Sequence, residues 1–179
     1  MNEPPAALDR LETERLVCGR PRPEDADELS AVMLHPDVLR TTWFAPQPPA
    51  RSYVVDKLAG DIKHWERHGF GPWLLRDRAG GEMVGRGGLK HTAATGVVEV
   101  EIGWTIDPGR WGEGLGTELA RASVRTAFDA LGLEEVIAYT SPDNTASRRV
   151  MEKAGMALEG EFAYDGLPQV LYRARRDRA

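Results

Sequence analysis

The stretch Trp104-Thr-Ile-Asp-Pro-Gly-Arg-Trp-Gly-Glu-Gly-Leu-Gly116 constrains this chain more than any other. A strand running into Trp104 and Ile106 is broken by Asp107, Pro108 and Gly109. Gly112, Gly114 and Gly116 then open a long helix, expected over Glu113 to Leu131 and ended by Gly132. A glycine-rich helix start leaves several backbone N–H groups unpaired and aimed at one point, where the helix dipole adds roughly half a positive charge. Glycines carry no Cβ and let a bulky anion approach the main chain. The pattern reads as an anion cradle suited to a pyrophosphate. It is not a P-loop, because no Gly-Lys-Ser/Thr follows, and it lacks the βαβ setting of a dinucleotide fingerprint.

Residues 1–11 hold Pro4 and Pro5 without a period and read as a loose tail. Arg15 to Arg20 reads as a strand, and Glu24 to Met33 as a helix with acidic residues in its first turn, stopped by His35-Pro36. Val38 to Pro49, with Trp43 and Phe44, reads as a loop that either lines a cleft or packs down as a lid. Ala50 to His68 has helical spacing, with Gly69 as its cap. Three strands follow, Trp73 to Arg76, Met83 to Leu89 and Val97 to Ile106, as an antiparallel meander. Beyond the long helix, the nearly all-apolar run Glu135 to Thr140 reads as a central strand. Thr145 to Ala154 reads as a helix closed by Gly155. Leu158 to Tyr164 and Gln169 to Arg175 form a hairpin about Asp165-Gly166. The expectation is one α/β (α+β) domain over residues 12–175, with short tails at 1–11 and 176–179.

The formal net charge of −5 argues against a broad nucleic-acid footprint; it serves solubility first and mildly favours a basic or amine-bearing partner. Cys18 is the single cysteine, so no disulfide framework or cysteine metal site is expected. His64 and His68 stand four apart on one helix, but no accompanying Glu pattern supports a metal, and none is expected. No apolar run approaches the ~20 residues of a membrane span. Met1-Asn2-Glu3-Pro4-Pro5 lacks the regions of a signal peptide, which leads to an expected cytoplasmic location without membrane or nucleic-acid partners.

Gly112-Glu-Gly-Leu-Gly-Thr117 resembles the acetyl-coenzyme A pyrophosphate loop of the GNAT N-acetyltransferases. Asn144-Thr-Ala-Ser-Arg-Arg-Val-Met-Glu-Lys-Ala-Gly-Met156 resembles the next helix of that family, in its ribosomal-protein N-acetyltransferase (RimJ/RimL-like) branch. Thr13-Glu-Arg-Leu16, with Glu24-Asp-Ala26 after it, resembles the opening of that branch. The resemblance spans about residues 12–175. It implies a mixed, largely antiparallel sheet splayed in the middle, with helices on both faces. It implies that backbone groups of Trp104, Thr105 and Ile106 hold the pantetheine arm of acetyl-coenzyme A. The pyrophosphate would lie on the N–H groups of Gly112, Glu113, Gly114, Leu115, Gly116 and Thr117. Trp111 stands where the family usually has Arg or Gln, although Trp is frequent in this branch. The Glu113 side chain is expected to point to solvent, away from the anion. Asn144 is both a helix N-cap and a contact to the pantetheine arm. Arg148, Arg149 and Lys153 either meet phosphates or are solvated.

A thioester needs no covalent enzyme intermediate, but the acceptor amine must arrive neutral. Its pKa is about 10.4 for a lysine-like amine and about 7.7–8.0 for an α-amine, so a proton acceptor is required. Glu99 and Glu101 share one face of the strand before the pantetheine segment, and Glu101 is the candidate base. A backbone N–H of the Trp104–Ile106 strand is the candidate oxyanion donor. Many family members place a proton-donating Tyr at the position of Met151, which cannot donate. Ser147 is the substitute acid, with Tyr139 or water behind it. The expected activity is transfer of an acetyl group to a primary amine, either a protein N-terminal α-amine or a small molecule, by a monomer or homodimer. The alternative is an acyl-coenzyme A sensor without catalysis.

Overall fold

The computed structural model describes residues 8–176. The elements are β1 (Arg10–Glu12), β2 (Leu16–Gly19), α1 (Ala26–Met33), α2 (Pro36–Thr42), α3 (Arg51–His68), β3 (Pro72–Asp77), β4 (Met83–Thr92), β5 (Glu99–Ile106), α4 (Leu115–Arg125), β6 (Glu135–Thr140), α5 (Thr145–Lys153), β7 (Ala157–Tyr164) and β8 (Leu167–Arg175). They fall into two units, the first holding residues up to Gly87 together with Trp104–Leu115, the second Gly88–Gly103 together with everything from Gly116. The strands β4 and β5 each pass from one unit into the other along the chain.

In the first unit β1 pairs antiparallel with β2, and β2 with β3 in the register Leu16↔Asp77 to Gly19↔Leu74. The amphipathic helices α1 and α3 bury Ala26, Leu29, Val32, Met33, Val54 and Leu58 against Leu74 and Met83. Trp65 is 1% exposed and donates its indole N–H to the Pro72 carbonyl at 2.8 Å. Gly71 lies over that ring, where an added Cβ would come within 2.5 Å of it. The helix α3 ends as expected at Gly69, whose φ of 71° is left-handed and whose N–H reaches the Trp65 carbonyl.

In the second unit β6 pairs antiparallel with β8 over six positions, and β7 pairs antiparallel with β8. The parallel pairing of β5 with β6 rests on Glu101↔Ile137, its single register pair among the described residues. Such a brief pairing is what a splayed sheet requires. The strand β6 is apolar, with Val136, Ile137 and Ala138 all buried. The hairpin turn is the expected one: Asp165 and Gly166 have φ of 50° and 76°, and Tyr164 pairs with Leu167 across a two-residue loop. The end of α5 is a Schellman motif, with Met156 N–H on the Met151 carbonyl and Gly155 N–H on the Glu152 carbonyl.

The structure corrects several boundaries. The segment read as a loose tail up to residue 11 contains most of β1, a strand too short to show a period. Residues 1–7 and 177–179 of the expected tails lie outside the described residues, and Arg176 donates its N–H to the Glu134 carbonyl. The expected loop after His35 begins with α2. His35 Nδ1 accepts the Asp37 N–H at 3.2 Å and Pro36 occupies the first turn, so this proline starts a helix instead of only ending one. Trp43 stacks edge-on against Tyr53 with ring centroids 5.0 Å apart, whereas Phe44 is exposed. Strand pairing begins at Glu99; Val97 and Val98 are exposed loop residues. The helix α4 starts at Leu115 instead of Glu113, because Gly112 and Gly114 take φ of 82° and 84°, outside the right-handed helix. Its last turn, Thr126–Ala130, widens to π geometry, with the Leu131 N–H on the Thr126 carbonyl.

Candidate functional site

The glycine loop of the first unit is held from two sides. Asp107 accepts the Gly109 N–H and begins the short turn Pro108–Arg110. Trp111 donates its indole N–H to the Ile106 carbonyl at 2.8 Å. Arg15, just before β2, donates to the Glu113 carbonyl at 2.7 Å and lies 3.6 Å from where a Cβ on Gly114 would stand. The Glu113 side chain was expected to reach solvent. It is 41% exposed, but Arg110 Nε bonds both of its oxygens, at 3.0 and 2.9 Å. A Cβ on Gly112 would meet nothing within 4 Å, so the space before this turn is open, as an incoming diphosphate requires. Two left-handed glycines, open space and the Arg15 guanidinium beside the turn fit an anionic coenzyme.

The main chain of β5 alternates. Asp107 N–H bonds the Val84 carbonyl of β4. A Cβ on Gly85 would sit 2.1 Å from the Thr105 carbonyl oxygen, so only glycine allows this approach. The odd-numbered residues Thr105 and Asp107 therefore face β4, and the main-chain groups of Trp104 and Ile106 face the opposite edge. Of the three residues expected at the pantetheine arm, the Thr105 carbonyl is turned toward β4, and the Ile106 carbonyl, on the other edge, accepts the Trp111 indole N–H.

In the second unit the two strand glutamates have different partners. Glu99 is tied to Arg173 at 2.6 Å and to the Thr95 hydroxyl. Glu101 is 8% exposed, which removes the reading of both residues as exposed strand positions. Its Oε1 lies 3.4 Å from Lys90 Nζ, while Oε2 is buried without a hydrogen-bond partner among the described residues. A buried carboxylate oxygen left unpaired is costly, and the group nearest to relieving it is the Tyr139 hydroxyl, which interacts with the Glu101 carboxylate. Gly103 follows on the same face, where a Cβ would meet only Glu101 Oε1, at 3.9 Å. Tyr139 stands beside this carboxylate and Thr92. Burial, reinforced by the Glu101 charge, pushes its phenol up, so it stays protonated at neutral pH and can donate. The Tyr139 ring packs edge-on against Phe162 and Tyr164.

Asn144 caps α5 as expected, its Oδ1 accepting the Ser147 N–H at 3.1 Å, which leaves its amide N–H₂ to donate. Ser147 lies in the first turn, half-buried. Met151 is 2% exposed and supplies core contact only. Arg148, half-buried, donates to the Tyr172 hydroxyl at 3.2 Å and the Pro142 carbonyl at 3.1 Å. Arg149 and Lys153 are exposed. In the first unit the His64 and His68 rings lie 4.5 Å apart, with His64 Nδ1 at 2.8 Å from the Phe70 carbonyl. Sequence reasoning gave no role to Arg15 and Arg110 in the first unit or to Lys90 in the second. Thr13-Glu-Arg-Leu16 pointed to the family without giving Arg15 a task, and nothing local pairs Lys90 with Glu101.

Residues 15–157 match the family model described as an acetyltransferase (GNAT) domain. The uncharacterized N-acetyltransferase YoaA of Bacillus subtilis is 29% identical over 150 residues, covering 84% of each chain. The FsC-acetyl coenzyme A-N(2)-transacetylase of Aspergillus fumigatus is 40% identical over 108 residues, 56% of this chain and 45% of that protein. Among solved structures, an acetyltransferase from Agrobacterium tumefaciens superposes with a TM-score of 0.80 at 24% identity, over 98% of this chain and 99% of that one.

Proposed function

The chain belongs to the GNAT acetyltransferase family and is an acetyl-coenzyme A-dependent N-acetyltransferase; from that premise we propose that it acetylates a primary amine by direct attack on the thioester, with Glu101 as the base. The observation that carries the proposal is the buried, unpartnered Oε2 of Glu101, whose other oxygen is held by Lys90.

Acetyl-coenzyme A supplies an acyl group already activated as a thioester. The main chain of Gly112, Glu113, Gly114, Leu115, Gly116 and Thr117, flanked by Trp111, would hold the pyrophosphate. Trp104 and Ile106, with less from Thr105, would hold the pantetheine arm by main-chain groups, joined by the Asn144 amide. Glu101 accepts a proton from the ammonium form of the acceptor, directly or through one water, and delivers a neutral nucleophile. A main-chain N–H of Trp104 or Ile106 stabilises the oxyanion. As the tetrahedral intermediate collapses, the Ser147 hydroxyl would give its proton to the departing thiolate and take up the one released from the amine nitrogen, with the protonated Tyr139 phenol behind it. Acceptors of two kinds suit this chemistry, a protein N-terminal α-amine and a small-molecule amine. A cytoplasmic protein, monomeric or homodimeric, is the corresponding setting. Among the described residues no helix is long and apolar enough to cross a membrane.

Thiol release from acetyl-coenzyme A, measured against a panel of peptide N-termini and small amines, tests the proposal. Release with at least one class and none without acceptor is expected. Tight coenzyme binding with no release for any amine would favour a sensor.

A further inference from the structure

Glu113 carries a negative charge in the middle of a loop read as the seat of a diphosphate. Its partners lie entirely within the first unit. Arg110 Nε bonds both Glu113 oxygens, and Arg110 Nη2 reaches Asp77 Oδ2 at 2.8 Å. Asp77 is in turn fixed at the end of β3, where its Oδ1 accepts the N–H groups of Ala79 and Gly80 at 2.8 and 2.9 Å. The β3–β4 turn thus orients a carboxylate, the carboxylate orients a guanidinium, and the guanidinium clasps Glu113. A guanidinium held by one carboxylate loses less freedom when it binds a second, so the clasp is better organised than an isolated surface pair.

We propose that Arg110 is a positioning residue for the coenzyme: it holds the Glu113 carboxylate to one side of the glycine loop and cancels its charge, so that the loop presents main-chain N–H groups to the diphosphate. The proposal rests on the reading of this loop as the coenzyme's seat. Arg110 itself needs no contact with the ligand. Glu113 without its clasp would compete with the diphosphate for the same N–H groups and would repel it.

The test is coenzyme A affinity of the full chain by calorimetric titration, with far-UV circular dichroism as the check of folding. Arg110→Ala is expected to raise Kd about tenfold, the effect of one uncompensated carboxylate beside a bound dianion. Adding Glu113→Gln to that variant is expected to bring Kd back within about threefold of the parent. A purely structural role for Arg110 predicts no such rescue, because the double variant lacks the clasp as well. Unchanged affinity in Arg110→Ala, or a double variant as weak as the single, overturns the proposal. If Arg110→Ala does not fold, Glu113→Gln alone decides. It frees Arg110 as an extra cation and should tighten binding, and weaker binding counts against the role. A parent protein that binds no coenzyme A would instead overturn the reading of the loop.

Discussion

Replacing Glu101 by Gln separates chemistry from structure at the proposed base. The side chain keeps its shape and loses its charge and its ability to take a proton. A positioned general base contributes about 10²–10⁴-fold, so kcat/KM should fall by at least about 10²-fold. Stability should scarcely change. The ion pair to Lys90 is 3.4 Å long and its lysine is 34% exposed, which limits its loss to about 1 kcal/mol or less. Against that loss stands relief of a buried charge whose Oε2 has no partner, of similar or larger size. The net effect lies within about 1 kcal/mol of zero, or within about 2–4 °C in Tm for a chain of this size. The assay is thiol release over pH 6–10 with the best acceptor, alongside thermal unfolding and a coenzyme A titration. The parent rate should rise with pH as the amine deprotonates, and the variant should work appreciably only where neutral amine already dominates. An unaltered pH–rate profile with full turnover would remove Glu101 as base. A large drop in Tm with proportionate loss of activity would make it a structural residue.

Gly114→Glu forces an L-residue to φ near 84° and sets a carboxylate against Arg15, so coenzyme A affinity should fall tenfold or more with circular dichroism unchanged; undiminished affinity would unseat the loop. Arg173→Met removes a 9% exposed guanidinium bonded to Glu99, Glu135 and Glu159, leaving the shielded Glu99 carboxylate uncompensated. The expected cost is about 3 kcal/mol, read as a lower midpoint in urea, and a midpoint within error of the parent would refute it. Asp77 is held at about 2, first by the Gly80 N–H, then by Arg110 and the Ala79 N–H. A lowered folded pKa means stability present above the ordinary carboxylate value and lost as pH falls through about 2. Asp77→Asn should therefore flatten the fall of stability between about pH 4 and pH 2, and an unchanged acid limb would show that the carboxyl titrates normally.

The parts of the fold carried by local chemistry were legible in the chain. Gly69 and Gly155 closed their helices, Asp165-Gly166 set the hairpin, and the apolar run Glu135–Thr140 formed a strand at its expected bounds. What failed to show depended on partners far away in sequence. The strand β1 exists because β2 pairs with it, not because Arg10–Glu12 prefers to be extended. The helix α2 depends on a histidine cap, a residue outside the usual set for that position. The late start of α4 follows from two glycines whose left-handed φ serves the loop at the expense of the helix. Sequence periodicity favoured the helix, and backbone geometry decided otherwise.

The strand glutamates show where sequence reading stops and why. Spacing put Glu99 and Glu101 on one face and ranked Glu101 first by its nearness to Trp104. It could not say which carboxylate was already engaged. Arg173, 74 residues on from Glu99, settles that, because its guanidinium bonds Glu99 together with Glu135 and Glu159 and leaves no strong cation on Glu101 beyond a long contact to Lys90. A base needs a lone pair that folding has not already used. Two identical side chains two residues apart thus differ in their partners through what the rest of the second unit brings to each. The same logic governs Glu113, an acid in a loop that should repel its own ligand. In the proposed reading the loop can seat an anion because Arg110, oriented from the β3–β4 turn, has already engaged that charge.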